Sequence, residues 1–562
     1  MRVTTKMINN SMMANIASNK TNLDKLNNQY TTGNKIQKPS EDPIVAVRTL
    51  KLRKTMSEIA QYTEKNIPDA MSWMDVTTSS LDSMDAIMTN IYGYLNQGAT
   101  DILSASERKT IATNLLELKN EIYSEGNANY AGRYVFTGYK TDTPLTFQEN
   151  CDDYRYTITE HFEIPEIDEV SKLKGAYDLD DYDAGAPDAT LFEETPVETI
   201  VHKIQIGYTG LCSDKLHPKT REPIEGAVAA EFSATKIDNG QQVSFEELGI
   251  HVIQRSAYDK NAYDIEIPLR NADGYIIDAQ GNTFDAVDAD GNPIKATSEE
   301  QVPDDKKTDM VENYAVFLPE TGELILTDNA HSVLRNKTSG ITAIYDKEEF
   351  DGNDVRPEHY YSCVSVDKSI TDIDDATTVY TYSEQEIQYE INFSQMMKVN
   401  TQIGEAVGND FARAIDGLAT IVNEVNDLEA QLADVDSFLS NQNITTEQTK
   451  ALNALKTQLN TQLTIKNKMM TQAFEDTIDK VQGFQVTLNT ANANLGSRYA
   501  RLEMVEERLT AQYTEYEELL SENIDVDLVE TYINLTSADT VYNASLQTAA
   551  KIAQNSLLDF IN

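Results

Sequence analysis

Six histidines could supply metal ligands or a general base, so their spacing is weighed first. A zinc peptidase needs H-E-x-x-H, which sets two imidazoles on one helical face with a carboxylate base between them. None of His161, His202, His217, His251, His331 or His359 begins that pattern, and no two stand close in the chain. They read as scattered surface histidines. Asp288-Ala-Asp-Gly291 is similar to part of an EF-hand loop, yet in that frame the first ligand would be Ala286 and the last Thr297, where carboxylates are required. A turn fits it better.

No Walker-type phosphate loop and no G-x-S-x-G occurs. With 92 Asp and Glu in the chain, no carboxylate pair can be singled out as a catalytic couple. Cys151, Cys212 and Cys363 belong to no C-x-x-C pair, and their odd number builds no disulfide framework. They read as small apolar side chains. No catalytic, cofactor-binding or metal-ligating residue is assigned, and the chain reads as a structural assembly subunit instead of an enzyme.

The elements that carry these residues are of two kinds. At 562 residues the chain exceeds one hydrophobic core, so two to four domains are expected. Its net charge of -46 argues against nucleic acid as a partner, because phosphate binding needs a clustered basic surface. The N-terminus has no continuous apolar run of the secretory kind, so export by another route is expected. No stretch approaches 18 apolar residues, and no membrane insertion is expected. Between 151 and 380 lie all six His, all three Cys, and 49 acidic against 19 basic residues. That is about two-thirds of the net charge, concentrated in an insertion within a helical frame.

The frame is legible from its apolar spacing. Val481, Phe484, Leu488, Ala491, Leu495, Leu502, Val505, Leu509, Tyr516 and Leu519 keep an alternating three-four register, interrupted only by Arg498 and Gln512. A 3.5-residue repeat of that length predicts one long helix lying along a partner helix. A second run from Ile403 to Val435 predicts another helix, ended by a loop at Ser440-Asn-Gln-Asn443. A third, from Ile67 to Leu95, has Pro68 near its start, which predicts a kink or a fresh helix start there. Ser104-Ala-Ser-Glu107 fits a capping box opening a helix with Ile111, Leu115, Leu118 and Ile122. In the insertion, Asn271-Ala-Asp-Gly274, Asp278-Ala-Gln-Gly-Asn282 and Thr321-Gly322 read as tight turns between short strands.

The two chain ends carry matching stripes. Met12, Ile16, Leu23, Leu26 and Tyr30 fall on one, with Asn19 filling the missing step; Leu528, Tyr532, Leu535, Ala538, Tyr542, Leu546, Ala549, Ala553 and Phe560 fall on the other. The first 40 residues hold six basic groups and one acidic; the last 40 hold five acidic and only Lys551 as a base. Two amphipathic helices of opposite charge are natural partners, so the eleven larger of these residues, the three alanines aside, are the candidate assembly interface. Outside its stripe each end is polar, so both are expected to order only when their stripes are covered.

These features resemble the flagellin superfamily, and within it the family of hook–filament junction proteins. The resemblance rests on Met1-Arg-Val-Thr-Thr-Lys-Met7 to Met12-Met-Ala-Asn-Ile16, Thr32-Gly33, Lys38-Pro-Ser-Glu-Asp-Pro43, Asn96-Gln-Gly98 and Gly132-Arg-Tyr-Val-Phe-Thr-Gly-Tyr-Lys-Thr-Asp-Thr-Pro144. Toward the other end it rests on Tyr389-Glu-Ile-Asn-Phe393, Gly496-Ser-Arg-Tyr-Ala-Arg-Leu-Glu503, Tyr542-Asn-Ala-Ser-Leu546 and Ser556-Leu-Leu-Asp-Phe560. It covers about 1–147 and 385–562, not the insertion. It implies an α+β fold: a long antiparallel helical coiled-coil rod built from both chain ends, with an inserted β-rich outer domain. The segments expected are an inner-core helix over 1–42 that pairs with 523–562, rod helices and the start of a hairpin over 43–150, the acidic insertion over 151–380, and the hairpin return with further rod helices over 381–522. The resemblance further implies a homo-oligomeric ring, hook-associated protein 1, flagellin and an export chaperone at the C-terminal helix as partners, and passage through the flagellar export apparatus to an extracellular flagellum. Filament flagellin, or a junction protein whose insertion binds glycans or a host surface, remain the alternatives.

Overall fold

The computed structural model describes residues 5–100, 103–193, 195–216, 224, 228–258, 262–263, 265–271, 273–287, 293–370, 372–440 and 444–561, apart from the side chains of 5, 373 and 552–561. Among them are ten α-helices: α1 (Thr5–Thr32), α2 (Pro43–Gln61), α3 (Ile67–Gly98), α4 (Ala105–Glu125), α5 (Asp328–Lys337), α6 (Ile373–Ala376), α7 (Ile403–Ala406), α8 (Asp410–Leu439), α9 (Thr446–Ile524) and α10 (Leu528–Ile561). The chain forms two compact units. One gathers 1–72, 388–398 and 497–562; the other holds 73–387 and 399–496.

The first unit is helical, with one small hairpin. Asp42 caps α2, its Oδ1 accepting from the amides of Ile44 at 3.0 Å and Val45 at 3.1 Å, and Pro43 sits where the missing N–H costs nothing. The helix runs on through a π-helical turn at Tyr62–Asn66 directly into α3. Pro68 therefore neither starts a new helix nor ends the old one. The π turn shifts the hydrogen-bond ladder just ahead of the residue that cannot donate to it. The hairpin pairs Gln388–Asn392 with Gln395–Lys398, so Tyr389 faces Met397 within a local turn. It is tied to the π turn: the Tyr62 hydroxyl donates to Glu390 Oε1 at 3.1 Å, the Asn66 amide donates to the Glu390 carbonyl at 2.8 Å, and Tyr62 meets Phe393 edge-on.

In the second unit the predicted capping box is present. Ser104 Oγ accepts from the Glu107 amide, and the Glu107 carboxylate accepts from the Ser104 amide at 2.8 Å. Ile111, Leu115 and Ile122 of α4 are buried, with Leu118 half-buried. The run from Ile403 is not one helix. Val407 is extended and separates α7 from α8. α8 stops at Leu439, and the rest of the expected loop, 441–443, lies outside the described residues. The long helix is longer than its heptad stretch: α9 covers 79 residues and begins at Thr446.

The insertion is a β-sandwich. One sheet has six antiparallel strands in the order Thr377–Tyr380, Ser362–Asp367, Tyr154–Glu163, Thr338–Lys347, Glu231–Lys236, Gln242–Ser244. The other has five, in the order Asp168–Lys174, Val197–Gln205, Glu323–Leu326, Tyr314–Leu318, His251–Gln254, with only the last pair parallel. Ile158, Phe162, Phe232 and Tyr345 of the first sheet and Ile204, Ala315, Phe317 and Leu324 of the second share one core. The alternate residues Tyr314, Val316, Leu318 and Ile325 fill a second core on the far face. A strand covered on both faces reads as an unbroken apolar run, and Tyr314–Leu318 is buried at every position. The Thr321-Gly322 turn joins this pair as predicted, with Gly322 at φ +66°. Gly274 and Gly281 also have positive φ in the two other described turns, while Asp288-Ala-Asp-Gly291 lies outside the described residues.

Candidate assembly interface

The two chain ends pack on each other as antiparallel helices. Along α1, Met12, Ile16, Asn19, Leu23 and Leu26 are half-buried at three-four spacing while their neighbours are exposed. Along α10 the half-buried stripe is Leu535, Ala538, Tyr542, Ser545 and Ala549. Asn19 Nδ2 donates to Ser545 Oγ at 2.9 Å, and the rings of Tyr30 and Tyr532 meet with centroids 5.6 Å apart. The two contacts fix opposite chain directions, since a step up α1 is a step down α10.

Ten of the eleven expected interface residues fall into two sets. Met12, Ile16, Leu23, Leu26, Leu535 and Tyr542 lie along the seam. Tyr30, Leu528, Tyr532 and Leu546 are 42%, 53%, 55% and 41% exposed, on the rim or outside it. The side chain of Phe560 lies outside the described residues. The seam also takes in Ala538 and Ala549 of the expected stripe, and the polar Ser545, which that stripe passes over. Among the described residues no ion pair joins α1 to α10, so their opposite net charges act through solvent and not through contact. Such pairs contribute little at an exposed surface.

Where the helical pair ends, backbone takes over. The Lys35 amide donates to the Ile524 carbonyl at 2.6 Å and the Val526 amide to the Gly33 carbonyl at 2.8 Å. Gly33 sits at φ +73°, the left-handed conformation that closes a helix C-terminus with least strain in glycine. Asn523 Nδ2 then reaches Thr49 Oγ1 at 2.8 Å and the Val45 carbonyl at 3.1 Å, placing α2 against the end of α9.

The residues screened for chemistry are not assembled into a site. Among the described residues no group of three or more His, Cys, Asp and Glu could hold a metal ion. They are also less superficial than their scatter in sequence suggests. His202 and His331 stack with ring centroids 3.8 Å apart, and His202 Nε2 lies 3.3 Å from Asp328 Oδ1. His359 is buried, its Nε2 bonded to the Pro144 carbonyl at 3.0 Å, and burial pushes its imidazole down to about 4. His217 lies outside the described residues. Cys151, Cys212 and Cys363 are free thiols. Burial pushes Cys212 and Cys363 up to about 12.

One buried ion pair ties the sandwich to α8. Arg413 Nη1 donates to Glu160 Oε1 at 2.9 Å and to the Gln205 carbonyl at 2.7 Å. Glu160 Oε2 accepts from the Gly207 amide and the Tyr345 hydroxyl, each at 2.9 Å. Burial raises the Glu160 carboxyl, with Arg413 opposing it. Every partner here is structural.

Residues 3–141 match the family described as the bacterial flagellin N-terminal helical region. The matched segment takes in α1 to α4. Two curated relatives are similar to part of the chain. Flagellar hook-associated protein 3 of Salmonella typhimurium is 29% identical over 150 residues, 25% of this chain and 45% of that protein. Flagellar hook-associated protein 3 of Escherichia coli is 28% identical over 144 residues, again 25% and 45%. The chain thus spans less than half the length of the curated relatives it matches. Among solved structures, the flagellar junction protein FlgL from Legionella pneumophila overlaps with 86% of this chain and all of that one at 10% identity and a TM-score of 0.25. No helix among the described residues is long and apolar enough to cross a membrane.

Proposed function

We propose that this chain is a structural subunit of the bacterial flagellum, a hook–filament junction protein seated between hook-associated protein 1 and the flagellin filament. The observation that carries this reading is the antiparallel pairing of α1 with α10 in a chain whose N-terminal segment is a flagellin helical region. A pair that is only half-buried leaves Tyr30, Leu528, Tyr532 and Leu546 for neighbouring subunits to cover. Copies of the chain form a ring, an export chaperone holds the C-terminal helix beforehand, and the flagellar export apparatus delivers the chain to the cell exterior. The similarity of the matched stretch to flagellar hook-associated protein 3 supports the junction over the filament as its place.

Deleting residues 523–562 tests the reading in a motile cell. The truncated chain is expected to be secreted without stable assembly, or to lose its chaperone, and to leave the cell without filaments. Normal filaments would overturn the proposal. Copy number separates junction from filament: a single short ring per flagellum supports the first, and thousands of copies per filament would show the second.

A further inference from the structure

The chain is acidic overall, but α2, like the N-terminal segment before it, is basic. Over residues 43–54 it holds Arg48, Lys51, Arg53 and Lys54 and no acidic residue. Its buried side, Ala46, Thr49 and Leu52, packs inward. Its outer side exposes Ile44 at 81%, Val47 at 53% and Leu50 at 64%. Ile44, Val47, Leu50, Lys51 and Lys54 follow three-four spacing, so aliphatic and cationic groups share one stripe. Lys54 pairs with Glu58 at 3.4 Å. Among the described residues Arg48, Lys51 and Arg53 make no ion pair. Three β-branched or leucine side chains open to water beside three unpaired cations is a costly surface unless something covers it.

The complementary surface lies in the same compact unit. Between residues 501 and 522, α9 carries seven Glu against two Arg. Leu502, Val505 and Leu509 are buried, so Glu503, Glu507 and Glu518 line the opposite, exposed stripe. Met504, 64% exposed, supplies an apolar contact at its edge. α2 of a chain cannot turn outward onto its own α9 stripe, because its inner side is fastened to the end of that helix through Asn523, Val45 and Thr49.

We propose that the outer face of α2 docks on the Glu503–Glu518 face of α9 in a second copy of this chain. The contact joins two different surfaces, so it is head-to-tail, and repetition gives a ring or a helical row instead of a closed pair. This deepens the assembly reading above and rests on it for the identity of the partner as another copy. A single short helix covers little area, so the contact is weak by itself and salt-sensitive.

The test uses the full-length purified protein, half of it labelled with 15N, concentrated at low salt and treated with a zero-length carbodiimide that joins amines to carboxylates. Isotope-mixed cross-links from Lys51 or Lys54 to Glu503, Glu507 or Glu518 are expected, falling at least tenfold in 0.5 M salt. Two surface variants add the decisive arm: Arg48→Glu with Lys51→Glu, and Glu507→Lys with Glu518→Lys. Each alone is expected to lose cross-linked dimer, and mixing the two is expected to restore it, because each then offers the charge that the other lacks. Absence of intermolecular cross-links between these segments, or mixing without recovery, overturns the proposal. No flagellum is present in this test, so its failure and failure of the truncation test in cells report on different claims.

Discussion

Asn19 on α1 donates to Ser545 on α10 at 2.9 Å, joining positions 526 residues apart in the middle of an otherwise apolar seam. A polar step inside such a seam stabilises one register over its neighbours, because any slip strands both groups among side chains that cannot bond them. Removing the amide with Asn19→Ala is expected to cost about 0.5–1.5 kcal/mol of pairing. Amide exchange in the described part of α10 would then quicken by about threefold to tenfold. Exchange as slow as in the buried stretch around Leu488 and Leu495, in either protein, would contradict a marginal pair.

The Arg413–Glu160 contact makes a steeper prediction. Glu160 is buried and Arg413 largely so, and Arg413→Ala leaves Glu160 facing the Gly207 amide and the Tyr345 and Tyr361 hydroxyls. Breaking one side of a buried pair costs about 3–5 kcal/mol. Glu160→Gln keeps an acceptor for the Gly207 amide and is expected to cost less. Urea unfolding monitored by tyrosine fluorescence would rank the two, and an equal midpoint for both would contradict the network.

Two glycines separate strain from collision. Gly322 and Gly240 share the left-handed conformation, at φ +66° and +67°. A Cβ at Gly322 would stand 2.2 Å from the Tyr208 carbonyl oxygen, whereas one at Gly240 meets nothing within 4 Å. Gly240→Ala is expected to cost about 1 kcal/mol from backbone strain alone. Gly322→Ala must also move backbone, and should lower the melting temperature of the sandwich several-fold more. Calorimetry on both variants checks the ratio.

His359 gives the pH dependence. Burial holds its folded value at about 4, below the ordinary 6.5, so between those limits the unfolded chain binds the extra proton. Stability therefore falls as pH drops from about 6.5 toward 4, and this contribution is flat above 7. From pH 7 to pH 5 the loss from this group is about 2 kcal/mol. Unfolding of the wild type and of His359→Gln at the two pH values isolates it: the variant should lose less on acidification.

Much of the helical frame is legible in the sequence because its seams repeat. Val481 to Leu509 announces α9, and Ser104 with Glu107 announces α4. The first 35 residues of α9 escape notice because Thr, Gln, Asn and Lys crowd between Leu452, Leu455 and Leu459, and the buried side there includes Gln458, Gln462 and Thr477, which an apolar pattern does not count. Pro68 opens no fresh helix, because a π turn, which leaves no mark in composition, carries the chain into α3. On the ends, the stripe that includes Ala538 and Ala549 also takes in Leu528, Tyr532 and Leu546, yet α10 leaves those three exposed and turns Ser545 inward to meet Asn19. The stacking of His202 on His331 joins strand to helix across more than a hundred residues, and no local spacing could reveal it.

The three cysteines, set aside early as small apolar residues, have a practical meaning. At neutral pH a thiol held near 12 is ionised in roughly one molecule in a hundred thousand, and oxidation proceeds through the ionised form. Cys212 and Cys363 are therefore all but inert toward oxygen and toward each other's copies. Disulfide bonds between copies through these two thiols would form slowly.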